Sequence, residues 1–276
     1  MILKRLSLAV GIAAMLASSS CNARTCNVNF NGDRQTIEAS ATMATQTVTV
    51  GSFHEIEASR IKVVYAQGPL TQARIEAPEN VLPYVKVRVD GGTLRAEIDN
   101  EYEVHFQRGQ NVTVTVSAPS LDEALAMLAG SVEIPTLNVA RDLELEVTTA
   151  GTITIDTIIA NGNVEAEATT AGTINISTLT ANKLESSSTT SGTVTVGNAT
   201  LNEAEFDVTT AGVVTVAGTA TDVDFDATTG GIVNASELRA QHGSAEASTG
   251  GNVRCNIASP VSTTVTTGGS VSNSHR

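Results

Sequence analysis

The chain has 276 residues and a formal net charge of −13 at pH 7, from 29 acidic and 16 basic side chains. This charge argues against nucleic acid or an anionic membrane surface as a partner, because the electrostatic term would oppose either contact. With no Trp and only 3% aromatic residues, the chain also lacks the large side chains of a conventional globular core. Cations, basic proteins and neutral glycans remain open as partners.

The first twenty residues have the pattern of a secretory signal peptide. Lys4 and Arg5 supply the positive region, residues 6–16 are apolar, and residues 17–20 are small. Because the apolar segment is too short to span a bilayer, we expect residues 1–20 to be cleaved. The sequence therefore predicts an exported protein of a diderm bacterium, in the periplasm or at the outer membrane.

Cys21 resembles the cysteine that is lipidated in bacterial lipoproteins. The small Ser20 before it fits that pattern, whereas Ser18 stands where a leucine is expected. We predict a lipid anchor on Cys21; cleavage nearby that leaves the protein unanchored is the alternative. Cys26 and Cys255 would then remain, and an oxidising compartment would permit a disulfide between them. The sequence does not decide whether they pair.

Residues 21–46 show no clear hydrophobic period and are predicted to form an N-terminal tether. From residue 47 onward, alternating apolar and polar residues predict strands, and Asp90-Gly91-Gly92 predicts a hairpin turn. We expect these strands to cap the repeat that follows and to form one domain with it, residues 47–276. The predicted strands are 47–50, 55–58, 61–66, 73–77, 85–89, 93–98, 104–107 and 112–117.

From Thr148 to Asn273 one phrase, T-T-A-G in its clearest copies, recurs seven times at spacings of 21, 20, 20, 19, 20 and 18 residues. A period near 20 with β-type patterning indicates a β-solenoid. Residues 121–134 are interpreted as its imperfect first coil, around Gly130. We expect the glycine of each phrase to occupy a backbone corner that a side chain would obstruct. These glycines are Gly151, Gly172, Gly192, Gly212, Gly231, Gly251 and Gly269.

Two columns of acidic residues precede the phrase and are predicted to point outward, because the alternate positions between them are apolar or small. One interpretation is a solvated face that keeps the protein soluble and prevents lateral sheet pairing. The other is a binding stripe for Ca²⁺ or a cationic partner. The first column holds Glu144, Glu165, Glu185, Glu205 and Asp224, and the second holds Glu146, Glu167, Asp207, Asp226 and Glu246.

A further column lies thirteen residues after the first Thr of each phrase. It is predicted to be a structural ladder at a turn, in which stacked amides bond to one another and to exposed backbone. Its members are Asn161, Asn182, Asn202, Asp222 and Gln241.

The sequence favours a protein without catalytic activity. Coil length barely varies, so no long loop is expected that could build a substrate groove. The four histidines are scattered, and there is no motif with metal-ligand spacing and no nucleophile elbow. No cofactor is predicted.

Several segments, in this order, are similar to the putative auto-transporter adhesin, head GIN domain family of secreted bacterial proteins. They are residues 53–58 (FHEIEA), 61–68 (IKVVYAQG), 79–85 (ENVLPYV), 90–94 (DGGTL) and 112–116 (VTVTV), followed by the repeated T-x-x-G phrase. The resemblance implies a single-stranded right-handed parallel β-helix, often on an exported lipoprotein. It supplies no catalytic residues.

Together these patterns predict an all-β protein, a parallel β-helix with coils of about 20 residues capped by irregular N-terminal β coils. We expect it to serve as a cell-envelope adhesion or interaction module. Its protein or glycan ligand would bind either the two acidic columns or the Thr and Asn side chains of the strand after each glycine, such as Thr152 and Thr154 or Thr173 and Asn175. A structural spacer or assembly unit, with the chain as a homo-oligomer, is the alternative; a cation-binding solenoid and a polysaccharide-active enzyme are further ones.

Overall fold

The structure, a computed structural model, describes residues 34–258 and 261–275. The predicted signal peptide (residues 1–20), Cys21 and Cys26 lie outside the described residues. Cys255 is a buried free thiol. In the part of the chain that the structure describes, no helix is long and apolar enough to cross a membrane.

The chain forms short strands as far as residue 118; beyond it, β11, β13 and β15 to β18 are longer, and those from β15 to β18 run around most of a coil. The first group is β1 (Gln35–Glu38), β2 (Met43–Val48), β3 (Glu55–Ser59), β4 (Lys62–Gln67), β5 (Ala73–Pro78), β6 (Val85–Asp90), β7 (Thr93–Ile98), β8 (Tyr102–His105) and β9 (Thr113–Ala118), with a 3-10 helix (Leu82–Tyr84) before β6. The second is β10 (Glu123–Met127), β11 (Ser131–Val139), β12 (Leu143–Val147), β13 (Thr152–Ala160), β14 (Asn163–Ala168), β15 (Thr173–Ser188), β16 (Thr193–Val208), β17 (Val213–Ala227), β18 (Ile232–Ala247), β19 (Asn252–Ile257), β20 (Val261–Val265) and β21 (Ser270–Asn273).

The second group confirms the predicted parallel β-solenoid. Each coil pairs in parallel with the next, and the pairing follows the repeat: Thr152 lies beside Thr173, which lies beside Thr193. The predicted first coil is also confirmed, because Ser131 of β11 lies beside Thr152. Within a coil, buried residues alternate with outward-facing ones along three faces. In β15 these faces are residues 173–176, 178–181 and 184–188.

The order of coils at the N-terminal end differs from the order along the chain. Strands β3 and β4 form a coil beside β10 and β11, and β7 and β9 form the next coil outward, beside β3 and β4. Antiparallel strands close this end: β6 pairs with β7, β5 with β9, and β2 with β5. The cap and the β6–β7 hairpin at Gly91-Gly92 are therefore confirmed.

The predicted tether (21–46) requires a correction, because residues inside it form strands. β1 pairs with β8, and β2 pairs along its whole length with β5. The predicted strand at 47–50 is accordingly replaced by β2, Met43–Val48. Sequence patterning missed β1 and misplaced β2 because every side chain in these strands is exposed or half-buried, so neither shows an apolar period.

Each T-T-A-G phrase forms the same tight turn between two faces of a coil. In the first copy Thr149 (φ 51°) and Ala150 (φ 62°) are left-handed, and Gly151 donates its N–H to Thr148 O at 3.0 Å. Two consecutive positive φ values define a type I′ turn. Leu128 (φ 52°) and Ala129 (φ 62°) repeat it in the first coil.

Hydrogen bonds between neighbouring coils support these turns. Left-handed backbone costs an ordinary L-residue about 1–2 kcal/mol, and a β-branched Thr rarely adopts it. Ala150 donates its N–H to Thr170 O of the next coil at 3.0 Å, and Ala171 does the same to Thr190 O at 3.1 Å. The same bond recurs as far as Gly230, which donates to Thr249 O at 3.2 Å, so these strained turns are each fixed by the turn of the next coil.

The glycine that ends the phrase is required for close packing between coils, as predicted. None of the seven has a positive φ. A Cβ added to Gly192 would instead come well within 3.0 Å of the carbonyl of Ala168 in the preceding coil. Gly231 meets the carbonyl of Val208 in the same way. A side chain at this position would therefore push neighbouring coils apart.

The adjacent glycines 230 and 231 provide a matched test. Gly231→Ala introduces the backbone clash, and we expect it to lower the free energy of unfolding by more than about 2 kcal/mol. Gly230→Ala should lower it by only about 1 kcal/mol. Nothing lies within 4 Å of a Cβ there, and Ala211 already occupies that turn position in the preceding coil. Urea unfolding followed by circular dichroism measures both; equal losses would contradict the packing argument.

Candidate functional site: the acidic face

The two predicted acidic columns lie side by side on one face of the solenoid. We call this face, formed by β10, β12, β14 and the last five or six residues of β15 to β18, the acidic face. In the first column Glu144 lies beside Glu165, then Glu185, Glu205 and Asp224 in successive coils. Parallel neighbours in such a stack are about 4.8 Å apart. All five therefore form an unbroken ladder of carboxylates.

The structure extends this first column by two residues that sequence analysis missed. Glu123 of β10 lies between Glu144 and Glu55 of β3. Glu123 precedes Glu144 by one repeat period, so extending the alignment into the first coil could have found it. No such signal exists for Glu55, because β3 enters the stack through tertiary pairing and not through the repeat. The column ends at Thr93, whose hydroxyl donates a hydrogen bond to Glu55.

The second column is interrupted. Glu146 lies beside Glu167, but Ser187 follows it before Asp207, Asp226 and Glu246 continue the series. All ten acidic residues chosen from the sequence thus lie on this one face. Towards the capped end, Leu125 separates Glu146 from Glu57 of β3, which forms an ion pair with Arg95.

Partial burial and mutual repulsion raise the pKa of several of these carboxyl groups. For Glu165 the pKa is raised first by burial and then by the charges of Glu144 and Glu185. The pKa of Glu123 is raised first by burial and then by the charges of Glu144 and Glu55. The same two causes, burial and then neighbouring carboxylates, raise the pKa values of Glu146, Asp207 and Asp226. Holding this face fully ionised therefore destabilises the fold.

One cation partly offsets this repulsion. Lys183 Nζ lies 2.5 Å from Glu205, 3.4 Å from Glu185 and 3.5 Å from Glu203. Burial lowers the pKa of Lys183, but the hydrogen bond to Glu205 and the neighbouring carboxylates outweigh it and raise the pKa overall. Sequence analysis did not identify Lys183, which lies at the corner beside the first column, between Asn163 and Glu203.

Two concave regions adjoin the start of the acidic face. A shallow cleft of about 230 Å³ is lined by Asp122, Asp142, Leu143, Glu144, Asn163, Val164, Glu165 and Glu185. A second, of about 460 Å³, lies against His54 and Asp122 and includes Phe53 and Leu70. Across residues 34–258 and 261–275, no three His, Cys, Asp or Glu side chains are placed so that they could hold one metal ion. The carboxylates form lines and do not converge on a point.

The predicted amide ladder needs two corrections. Asn202 Nδ2 donates to Asn182 Oδ1 at 3.0 Å, as expected, but Asn182 Nδ2 donates to Asn163 at 3.1 Å and not to Asn161. Asp222 lies beside Glu203 in the neighbouring column. Fixed spacing fails here because the turns at Asn161-Gly162 and near Gly218 differ in length from the other copies, which shifts the register.

The face that follows the glycine is neutral over its central coils. Its outward positions hold Thr152, Thr173 and Thr193 in one column and Thr154, Asn175 and Thr195 in the other. These side chains are half-buried between their neighbours. The negative charge is therefore concentrated on one side of the coil.

The architecture is that of a parallel β-solenoid with two columns of acidic residues on one face. The chain belongs to the putative auto-transporter adhesin, head GIN domain family, whose model matches residues 52–180 and again 166–275. The two matches together span β3 to β21, and therefore all the repeats. No curated protein matches the chain.

Solved structures share the fold. A putative adhesin from Bacteroides fragilis has a TM-score of 0.57 at 18% identity, covering 86% of this chain and 99% of its own. A putative adhesin from Parabacteroides merdae has a TM-score of 0.59 at 17% identity, covering 87% and 99%. A third structure, described as a putative lipid binding protein from Parabacteroides distasonis, has a TM-score of 0.56 at 16% identity, covering 87% and 99%.

The pH dependence of stability tests the repulsion on the acidic face. Because the pKa values of five carboxyl groups are raised in the folded state, the native chain binds more protons than the unfolded chain just above their ordinary values, 4.5 for Glu and 3.8 for Asp. Unfolding free energy should therefore fall as pH rises through this window and increase on mild acidification.

Glu165→Gln should raise the free energy of unfolding at pH 7 by about 1 kcal/mol, since it removes one charge from the middle of the ladder. It should also flatten the pH dependence, and high salt should reduce its effect. The control is Glu237→Gln, an exposed residue outside the face. A wild-type stability that is constant between pH 5 and pH 7.5, or an equal gain from the control, would contradict the repulsion.

Proposed function

We propose that this protein is an exported cell-envelope adhesion module that binds a basic protein surface through its acidic face and has no catalytic activity. The single observation that carries the proposal is the unbroken first column, in which Glu123, Glu144, Glu165, Glu185 and Glu205 follow one another in successive coils. Such a surface attracts a partner of opposite charge and speeds its association.

The fold itself does not require these carboxylates. Thr93, Ser244 and Ser262 occupy the same column at its two ends, in the same parallel register. The ionised face also opposes stability, as the raised carboxyl pKa values show. A charge pattern that destabilises the protein and is dispensable for folding favours a role in binding.

The shape of the face supports an extended contact. The face is a regular sheet surface with strands about 4.8 Å apart, and its clefts are shallow. Among the lysine and arginine side chains of the described residues, Lys183 alone forms an ion pair with first-column carboxylates between Glu123 and Asp224. A basic partner would therefore meet a line of largely uncompensated charge. Membership in a family of putative adhesins agrees with this role.

A binding assay with the purified chain tests the partner class. We expect the quadruple variant Glu144→Gln, Glu165→Gln, Glu185→Gln, Glu205→Gln to lose at least about tenfold in affinity for basic proteins, because each removed charge contributes to a contact of opposite sign. Wild-type binding should weaken as salt rises. A panel of basic and neutral proteins together with a glycan array provides the ligands.

The matched control removes the same number of charges elsewhere, at Glu79, Glu101, Glu103 and Glu237, which are exposed and outside the face. This control should bind like the wild type. An equal loss of affinity in both variants would show that binding depends only on the net charge of the protein. If the quadruple variant still bound a neutral glycan saturably, the binding site would lie on another surface of the protein.

Export and anchoring form a separate part of the proposal, carried by Lys4 and Arg5, the apolar segment after them and Cys21. In a diderm host, cells fed a labelled fatty acid should incorporate it into the wild-type protein. Cys21→Ala should abolish labelling and release the protein from the membrane fraction, whereas Cys26→Ala should leave both unchanged. Labelling that persists in the Cys21→Ala variant would contradict a lipid anchor on Cys21.

A further inference from the structure

The two ends of the solenoid are built differently. Antiparallel strands close the N-terminal end, whereas the last coil consists of β20, paired with β18, and β21, paired with β19. Within the described residues neither β20 nor β21 has a strand on its other side. Val265 is 51% exposed, while Ala247 at the equivalent inward position of the preceding coil is 1% exposed. Among residues 34–258 and 261–275, nothing therefore covers the interior of the stack at this end.

The open edge of β20 has unpaired hydrogen-bonding groups in a regular array. Thr266 donates its N–H back to Ala247 O at 3.0 Å. Because N–H and C=O groups of successive residues in a strand point to opposite sides, those of Val265, Thr263 and Val261 point away from the stack. Three residues thus present a donor and an acceptor each at the free edge.

This edge lacks the features that normally protect an exposed strand. Edge strands usually contain charged side chains or proline that block further pairing. The segment from Val261 to Asn273 contains neither. The acidic columns also stop before it, because Ser262 and Thr264 continue them with neutral hydroxyls. Two such ends can therefore approach with little repulsion between their acidic faces.

The sequence of β20, V-S-T-T-V, is self-complementary when it is read antiparallel to itself. With Thr263 at the centre, Val261 lies opposite Val265 of the second strand, and Ser262 lies opposite Thr264. The three residues whose N–H and C=O groups point to the free edge, Val261, Thr263 and Val265, then lie opposite one another. A hydrogen-bonded antiparallel pairing requires this arrangement. On the inner side, Val261 meets Val265 and Thr263 meets its own copy, whereas on the outer side Ser262 meets Thr264; cross-strand hydroxyl pairs of this kind are favourable.

We propose that β20 pairs with β20 of a second copy of this chain, across a two-fold axis at Thr263, and joins two solenoids end to end through their open coils. The symmetry makes the contact self-limiting, because each open end is used once and the opposite ends are capped. The pairing also closes the open interior and covers Val265. β21 lies on another face of the coil, so the same axis does not bring it against its own copy.

Sedimentation of the full chain carrying Cys21→Ala, which removes the predicted lipid site, tests the proposal. We expect a dimer at micromolar concentration. Thr263→Lys places a charge on the inward side of the edge and should give a monomer. Ser262→Lys adds the same charge to the outward side of the same strand and should leave the dimer intact. A monomeric parent, or a Thr263→Lys variant that remains dimeric, would overturn the proposal.

Crosslinking checks the register independently, including the case in which Thr263→Lys does not fold. Hydrogen-bonded partners in an antiparallel pair have Cα atoms about 5.5 Å apart, which a disulfide can bridge. In a background that also carries Cys26→Ala, Thr263→Cys should form a covalent dimer on mild oxidation, with Ser262→Cys as the control. Failure of Thr263→Cys to crosslink, or equal crosslinking of the control, would exclude this pairing.

Discussion

The close stacking of one coil on the next at the T-T-A-G turn is the constraint on which the rest of the structure depends. Two left-handed residues turn the chain sharply, at a conformational cost that Thr and Ala would not tolerate in isolation. The turn persists because its backbone bonds to the same turn in the next coil, as Ala150 does to Thr170. The glycine after it permits that approach, since any Cβ would meet the preceding coil's carbonyl. Local strain and long-range pairing therefore stabilise each other.

This stacking also decides where charge accumulates. Once the coils are in register, equivalent residues come within about 4.8 Å of one another, so a residue repeated in the sequence becomes a line on the surface. The acidic face is such a line, and burial together with mutual repulsion raises the pKa values of some of its carboxyl groups, among them Glu123 and Asp226. The apolar core offsets this repulsion, because almost every inward position holds an apolar side chain that is fully buried. Lys183 relieves it at only one place.

The terminal coils of a solenoid have backbone hydrogen-bonding groups with no further coil to pair with. The two ends of this solenoid differ in how those groups are treated. At the N-terminal end, the antiparallel strands β6 and β5 form hydrogen bonds to the outer edge of the outermost coil, β7 and β9. At the other end β20 leaves them exposed, without charge or proline. The proposed pairing of two such ends would satisfy the same physical requirement by association.

Much of the solenoid follows from the sequence alone, because each coil is a local unit. The period near 20, the alternation of apolar residues and the invariant glycine predict the parallel stack, and they place Glu144 and Glu165 in one column. Only the tertiary structure decided where Glu55 lies, since β3 joins the stack by pairing with strands that are distant in the chain. It also decided that Asn163, and not Asn161, bonds to Asn182. Periodicity determines which residues recur, but register across an irregular turn or a non-sequential coil is set by backbone hydrogen bonds between segments, which no local pattern encodes.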